Sequence, residues 1–507
     1  MTGRGVRTIL GIALLLSTAY PLAAQKSNDT VRIGMAGPLA NLSSYHDSGA
    51  ASAFVGHGLF DTAIGYDERS GRYQPLLAKS WRRIDERTLE LEIRDDVKWH
   101  DGTNLDADDV FYTYDWLGSP DTRLHLQHQW DWIDHVEKLG RYKLRLFAKQ
   151  AIPYDIARLA SVTPIVPEHK HGLLLAERYY FGRNPIGTGP YRLAKFDQGD
   201  VLLTHTGAYR HGGEAKPVPR IAQVRLHANW KFEDRVAEFK NGALDLLLNA
   251  EPVPAESLAR ARGAQITAAA GNGMLVLAYD TRAKGRPLAD GRIRRALDLA
   301  IEHTELLRSL PEGVRVPMAL CWPEQAGCGA TPALPASDLA AARALLAQVQ
   351  GPVALTLAAV GAQAAMQAEI VARQWHQLGV TVKVENVLYE EFYIRVRDRA
   401  LDAGLFPWHA GVMPDVADMM QTFFAPGIWD LHEDPALHGF AAASDGAMDD
   451  TARRRIAGQA FAHVAANNYF SPLAPLPSLA LHGADLSIDA RGRYDVHGFT
   501  ILDLAWK

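Results

Sequence analysis

The clearest alternation of apolar and polar positions lies at Leu89, Leu91 and Ile93, separated by Glu90 and Glu92 and followed by Arg94. A period of two puts the three aliphatic residues on one face of a half-buried strand and the charges on the other. Tyr142, Leu144 and Leu146 repeat the pattern after a turn at Gly140. Shorter strands are predicted over Val31–Ala36, at Tyr191, Leu193 and Phe196, at Ile221, Val224 and Leu226, and over Leu244–Leu248. Helices are interspersed. Phe54, Val55, Leu59 and Phe60 mark a buried one ending near Gly65, Asp106 caps one over Ala107–Leu117, and a third covers Asp234–Lys240. The first half therefore reads as mixed α and β with many short strands.

From Met274 the rhythm changes. A strand at Met274–Tyr279 precedes a helix opening at Asp290, whose Ile293, Leu297, Ala300 and Ile301 share one face. A second helix, capped by Asp338, carries Leu339, Ala342, Leu345 and Leu346. Then come strand Val353–Ala358, helix Gln363–Leu378 stopped by Gly379, the alternating Val380, Val382 and Val384, helix Glu390–Arg397 and strand Leu401–Phe406. That succession predicts a twisted sheet covered by helices. Gly271-Asn272-Gly273, just before the change, reads as a turn between two lobes.

With 507 residues the chain is too long for one hydrophobic core. Its net charge of −5 gives no basic face for nucleic acid, and no basic amphipathic helix points to a membrane surface. The N-terminus changes the picture more. Arg4 and Arg7, the apolar run Ile9–Leu16 and the small pair Ala23-Ala24 have the layout of a secretory signal, with cleavage expected after Ala24. The run is far shorter than the ~20 residues that span a bilayer, and no cysteine follows it for lipid attachment. The mature chain is thus expected outside the cytoplasm. In that oxidising setting the two cysteines, Cys321 and Cys328, are read as a disulfide, which in so short a loop stabilises by on the order of 2–3 kcal/mol. Two thiols without neighbouring histidines make a poor zinc site.

Catalytic signatures are missing. There is no nucleophile elbow, no phosphate loop ending in Lys-Ser/Thr and no His-Glu-x-x-His helix. Gly187-Thr188-Gly189 has the look of a phosphate cradle, but Pro190 and a strand follow instead of a helix N-terminus. Among 19 scattered histidines only His409, His432 and His438 form a group that could ligate. Neither a metal nor a cofactor is expected.

Several segments together resemble the family 5 solute-binding proteins of oligopeptide, dipeptide and nickel ABC importers. Tyr73–Trp81 is similar to "P-x-LA-x-SW", and Leu89–Asp109 (LELEIRDDVKWHDGTNLDADD) to "F-x-LR-x-GVKFHDG-x-PLTADDV". Pro185–Tyr191 matches "PVGTGPY", and Glu238–Asp245 resembles "L-x-x-GEID". Tyr279-Asp280-Thr281 with Arg292–Ala300, then Glu369–Val384 and Tyr393–Leu405, follow the family's order and spacing.

The resemblance implies an α/β, two-lobe periplasmic binding-protein fold, class II-like, with an extra mixed α/β subdomain in the first lobe. Residues 1–24 would be the signal peptide and 25–272 the first lobe, with the subdomain at about 53–183. The second lobe would span 273–476, and 477–507 would return to the first. It also implies a non-enzymatic periplasmic receptor, a monomer with no nucleic-acid partner. This receptor would close on a peptide or other small solute and deliver it to an ABC permease and ATPase. A nickel or metal-chelate receptor is the alternative within the family, and a degenerate hydrolase or sensor lies further off. In the peptide binders that the chain resembles, a carboxylate after the strand matching Leu401–Phe406 meets the peptide amine. Here that loop, Pro407–Asp415, lacks the usual Gly/Asp-rich sequence, so Asp415 or Asp418 is expected to supply the charge. Trp408 is expected to stack on cargo, with His409 beside it, and Tyr45, His46 and Trp322 are further cleft candidates.

Overall fold

The computed structural model describes residues 29–507 except 37–38, 48, 68–69, 125–126, 198, 229–230, 249–257, 261–262, 309–319, 323–324, 330–333, 410–412, 414 and 490–498. The expected signal peptide lies outside the described residues. In chain order the strands are β1 (Thr30–Gly34), β2 (Ile64–Asp67), β3 (Arg72–Pro75), β4 (Ala78–Asp85), β5 (Thr88–Ile93), β6 (Ile133–Gly140), β7 (Lys143–Ala148), β8 (Tyr191–Asp197) and β9 (Asp200–His205). They continue with β10 (Gln223–His227), β11 (Leu246–Leu248), β12 (Gln265–Tyr279), β13 (Ala354–Val360), β14 (Thr381–Val387), β15 (Ala403–His409), β16 (Phe470–His482), β17 (Leu486–Ile488) and β18 (Leu504–Trp506). The helices used below are α1 (Ala50–Leu59), α2 (Ala107–Gly118), α3 (Asp155–Ser161), α4 (Gly291–Leu299), α5 (Leu339–Leu346), α6 (Ala362–His376), α7 (Tyr389–Arg397), α8 (Pro435–Asp445) and α9 (Asp450–Asn467).

One sheet runs through both halves, in the order β14-β13-β15-β12-β16-β11-β1-β10-β9-β8. In the second half β13 is parallel to both β14 and β15. Parallel neighbours need a crossover, and α6 and α7 supply it between β13, β14 and β15. The sequence signals that predicted these helices are seen at work. The side chain of Asp338 accepts from the Ala341 amide at the start of α5, and Gly379 (φ 82°) turns the chain from α6 into β14.

The alternating segment forms β5 of a separate four-stranded sheet, β4-β5-β7-β6. Leu89 pairs with Leu146 and Leu91 with Leu144 on the core face. On the other face Glu90 gathers Arg82, Lys143 and Arg145. The Asp106 cap is a full capping box with Asp109. The stretches that carry the family resemblance then interlock. Trp99 Nε1 donates to Asp109 at 3.0 Å. His100 Nδ1 accepts the Gly187 amide at 3.0 Å, and Nε2 lies 2.9 Å from the Gly189 carbonyl oxygen, so the proton sits on Nε2. A Cβ at Gly189 would run into the backbone of Gly58 and Leu59 at the end of α1. The Gly187-Thr188-Gly189 turn is therefore a packing joint.

Thr188 belongs to a buried ionic knot. Asp61, 1% exposed, accepts from Thr188 Oγ1 at 2.9 Å and from Tyr209 at 3.2 Å, and lies 2.9 Å from His211 Nε2 and 2.7 Å from Lys216 Nζ. Lys216 Nζ also donates to the Phe60 carbonyl. Burial alone would push the Asp61 carboxyl up, but Lys216 and His211 outweigh it and hold it far below the usual range.

Gly271-Asn272-Gly273 departs from the turn expected there. The chain passes straight through it inside β12, because β12 is held on both sides, by β15 from Gly273 onward and by β16 along its length. What remains of the local turn preference is an irregularity: pairing with β16 jumps from Ala269↔Ser478 to Gly273↔Leu476. β12 and β16 are thus the two long strands common to both halves of the sheet.

Candidate functional site

The two halves meet along the segment that follows β15. Its Met413 and Ala417 are buried in the hydrophobic cluster of the first half, which also holds Tyr45, Trp130 and Tyr154. After the helical turn Ala417–Met419 the chain makes a π-helical turn, Met420–Phe424, a geometry often found at functional positions. Asp415 opens this segment. Its Oδ1 accepts the Ala417 amide at 2.9 Å and is ion-paired with Arg453 of α9. Burial pushes the Asp415 carboxyl up, and Arg453 opposes the shift. With 2% exposure and a guanidinium already on it, Asp415 ties the segment to α9.

Asp418 is different. It is half-buried, and no hydrogen bond to its carboxylate is described. Burial pushes it up to about 6; Arg158 works against that and the Asp415 charge adds to it. Arg158 comes from α3, across the junction. Its Nη1 donates to the Gln129 carbonyl at 2.8 Å, and its guanidinium lies over the Tyr154 ring at 4.8 Å. The same guanidinium feels the charges of Asp418 and of Asp445 at the end of α8. Tyr154 hydrogen-bonds Asp445, and Tyr73 of β3 feels the charges of Asp415 and Arg453. Acidic groups of one half thus act through charge on a cation and two phenols of the other.

Trp408 stands near the end of β15, the strand that leads into this segment. Its ring meets Phe423 edge-on, centroids 4.7 Å apart, and packs on the aromatic cluster of the second half. Its indole Nε1 is buried with no hydrogen-bond partner among the described residues. A donor left this way costs about 1–3 kcal/mol unless something accepts from it. His409 pairs with Gly273 through the backbone, and its side chain lies outside the described residues.

The other candidates have these surroundings. Tyr45 is a core residue: its ring sits edge-on to Trp116 and Trp130, and its hydroxyl donates to the Pro164 carbonyl. His46 is half-buried near Tyr179, and its Nε2 has no hydrogen-bond partner among the described residues. Trp322 is 6% exposed within the second hydrophobic cluster, next to a disulfide joining Cys321 and Cys328 (Cα–Cα 6.0 Å). His432 stacks on Tyr469 and His438 pairs with Asp430, so each histidine has its own role. Among the described residues no three histidine, cysteine or acidic side chains gather as a metal site. Arg158, Tyr154, Gln421, Asp445 and Arg453 were not singled out from the sequence, because no local pattern marks them; their meeting depends on how the halves stack.

The chain matches the model of the bacterial extracellular solute-binding proteins, family 5, over residues 72–430. It is 26% identical to Protein XP55 of Streptomyces lividans over 299 residues, which cover 57% of this chain but only about half, 51%, of that relative's length. Among solved structures it superposes on the Helicobacter pylori periplasmic binding protein DppA in complex with the peptide STSA. The TM-score there is 0.76 at 16% identity, over 95% of this chain and 99% of that one. It superposes equally, at 0.76 and 19% identity, on NikZ of Campylobacter jejuni in complex with Ni(L-His), over 94% of this chain and 99% of that one. The shared architecture is a two-lobe binding-protein fold.

Proposed function

The chain belongs to the bacterial extracellular solute-binding proteins of family 5, and from that premise we propose that it is the exported solute receptor of an ABC importer. It takes a peptide or peptide-like cargo between its lobes and hands it to a membrane permease, without chemistry of its own. One observation carries the peptide reading. The Asp418 and Asp445 carboxylates of the second lobe act through their charge on Arg158 of the first, and the Trp408 indole N–H at the end of β15 has no partner among the described residues. A zwitterion suits such a place: its ammonium group matches the carboxylates, its carboxylate matches Arg158, and a carbonyl can accept from Trp408. The pivot is assigned to the irregular stretch of β12 between Ala269 and Gly273 and its partner residues in β16. There two strands can bend without breaking either half-sheet.

Native mass spectrometry of the protein purified from its own cell envelope tests this. Intact bound peptides are expected. A bound metal chelate with no peptide would overturn the peptide reading.

Asp418 gives the cleft a pH dependence. Its ordinary carboxyl value is 3.8 and its value here is about 6. The folded protein thus binds a proton that the unfolded chain has already lost, and stability falls as pH rises from 3.8 towards 6. Cargo carrying an ammonium group acts in the opposite sense, because it needs the ionised form. Its affinity should therefore be about tenfold lower at pH 5 than at pH 7.5. Calorimetric titration at the two values, repeated on Asp418→Asn, checks this: the variant should bind weakly and lose the pH dependence. A wild-type affinity that does not change with pH would remove Asp418 from the cleft.

A further inference from the structure

The turn closed by the Cys321–Cys328 disulfide is used by nothing described so far, yet it lies directly behind the cargo-facing segment. Cys321, Trp322 and Cys328 share a hydrophobic cluster with Val416, Met419, Met420 and Phe423. Ala326 forms a parallel bridge with Asp415, and its carbonyl accepts the Val416 amide at 2.9 Å. Gly327, with φ 76°, leaves no room behind it. A Cβ there would come within 2.7 Å of Val416 Cγ1 and 3.3 Å of Arg453 Nη2. From the other side α9 grips the same turn: the Gly327 amide donates to Asp450 Oδ1 at 3.2 Å, and Arg454 Nη1 donates to the Cys328 carbonyl at 2.9 Å. Asp415 is therefore fixed from two directions, by Arg453 and by the disulfide-closed turn, and Asp418 follows one helical turn later.

We propose that this disulfide-closed turn is a positioning element for the cargo cleft. It holds the Asp415–Asp418 segment at the height that presents Asp418 to the opposite lobe, so opening the disulfide lowers cargo affinity while the lobe stays folded. The reason is physical. A binding group held by packing and hydrogen bonds behind it loses little freedom when cargo arrives, whereas a loosened one must be ordered at the expense of binding. The turn spans too few residues to dominate global stability, so its effect is local. Opening is a two-electron exchange. Two thiol groups of a dithiol reductant become its cyclic disulfide, and Cys321 and Cys328 each gain a proton as their S–S bond breaks. The affinity part of the proposal rests on the receptor reading above; the positioning part does not.

The test uses the full mature protein before and after dithiothreitol, together with the Cys321→Ser/Cys328→Ser variant. Amide hydrogen exchange is read at Val416 and Ala417, and at Leu357 in β13 as a control. Retention is measured on an equimolar library of tripeptides. On reduction, Val416 and Ala417 are expected to exchange about tenfold faster or more while Leu357 is unchanged. Tripeptide retention should fall about tenfold and recover on reoxidation. Unchanged exchange at Val416 overturns the proposal, and so does acceleration that extends to Leu357, which would mean a general staple. If the oxidised protein retains no tripeptide, the receptor reading fails while the exchange measurement still decides the positioning role.

Discussion

Replacing Lys216 with methionine is expected to destabilise the part of the protein built on the first half-sheet by about 3–5 kcal/mol. Lys216 is 4% exposed and Asp61 1% exposed. Removing the ammonium group leaves a fully buried carboxylate with only Thr188, Tyr209 and His211, among the described residues, to solvate it. The Phe60 carbonyl loses its donor as well. Urea unfolding followed by tryptophan fluorescence should show an early transition for this half. Asp61→Asn together with Lys216→Met should recover part of the loss, since the orphaned charge is then gone. A Lys216→Met protein as stable as the parent would mean that water or rearrangement satisfies Asp61, and that the knot does not hold the 206–222 segment against α1.

Replacing Trp408 with phenylalanine is expected to weaken cargo binding by about 1–3 kcal/mol, or roughly tenfold and more, with apo stability unchanged or slightly raised. The aromatic ring keeps its contact with Phe423 and the cluster around it. What goes is the indole N–H, which has no acceptor among the described residues. A buried donor without a partner costs stability in the apo protein, so its removal should be neutral or helpful there, and its value should appear only when cargo accepts from it. Calorimetry on the solute recovered from the native protein, alongside thermal melts, separates the two effects. Loss of apo stability with unchanged affinity would make Trp408 a packing residue alone.

What could be read from the sequence was whatever depends on near neighbours. The β5 alternation, the Asp106 and Asp338 caps and Gly379 each have a local physical cause, and each behaves in the fold as its neighbours require. The Gly-Thr-Gly turn and the Trp-His pair upstream were legible as recurring stretches, but their purpose was not. They meet each other, since the His100 ring bridges Gly187 and Gly189, 87 and 89 positions away. Gly271-Asn272-Gly273 misled because tertiary pairing on both edges of β12 overrides a local turn preference. The pairing of Asp415 was not legible because its partner Arg453 is 38 positions away. Nothing local tells a carboxylate waiting for cargo from one already neutralised. Arg158 was invisible for the same reason: its importance comes from the opposite half.

β16 lies between β11 and β12. Thr267 of β12 hydrogen-bonds His482 of β16, a partner 215 positions further along. The inner edge of the first half-sheet therefore has no neighbour until residues 470–482 have been made. A ribosome releases the chain from the N-terminus onward, and domains usually fold as they emerge. In this molecule neither half of the sheet can close before synthesis is almost complete. For the exported receptor proposed above, late closure matters if the chain crosses its membrane unfolded. Placing one of the last strands at the centre of the sheet keeps the polypeptide threadable through most of its synthesis, and both lobes become whole when that strand arrives.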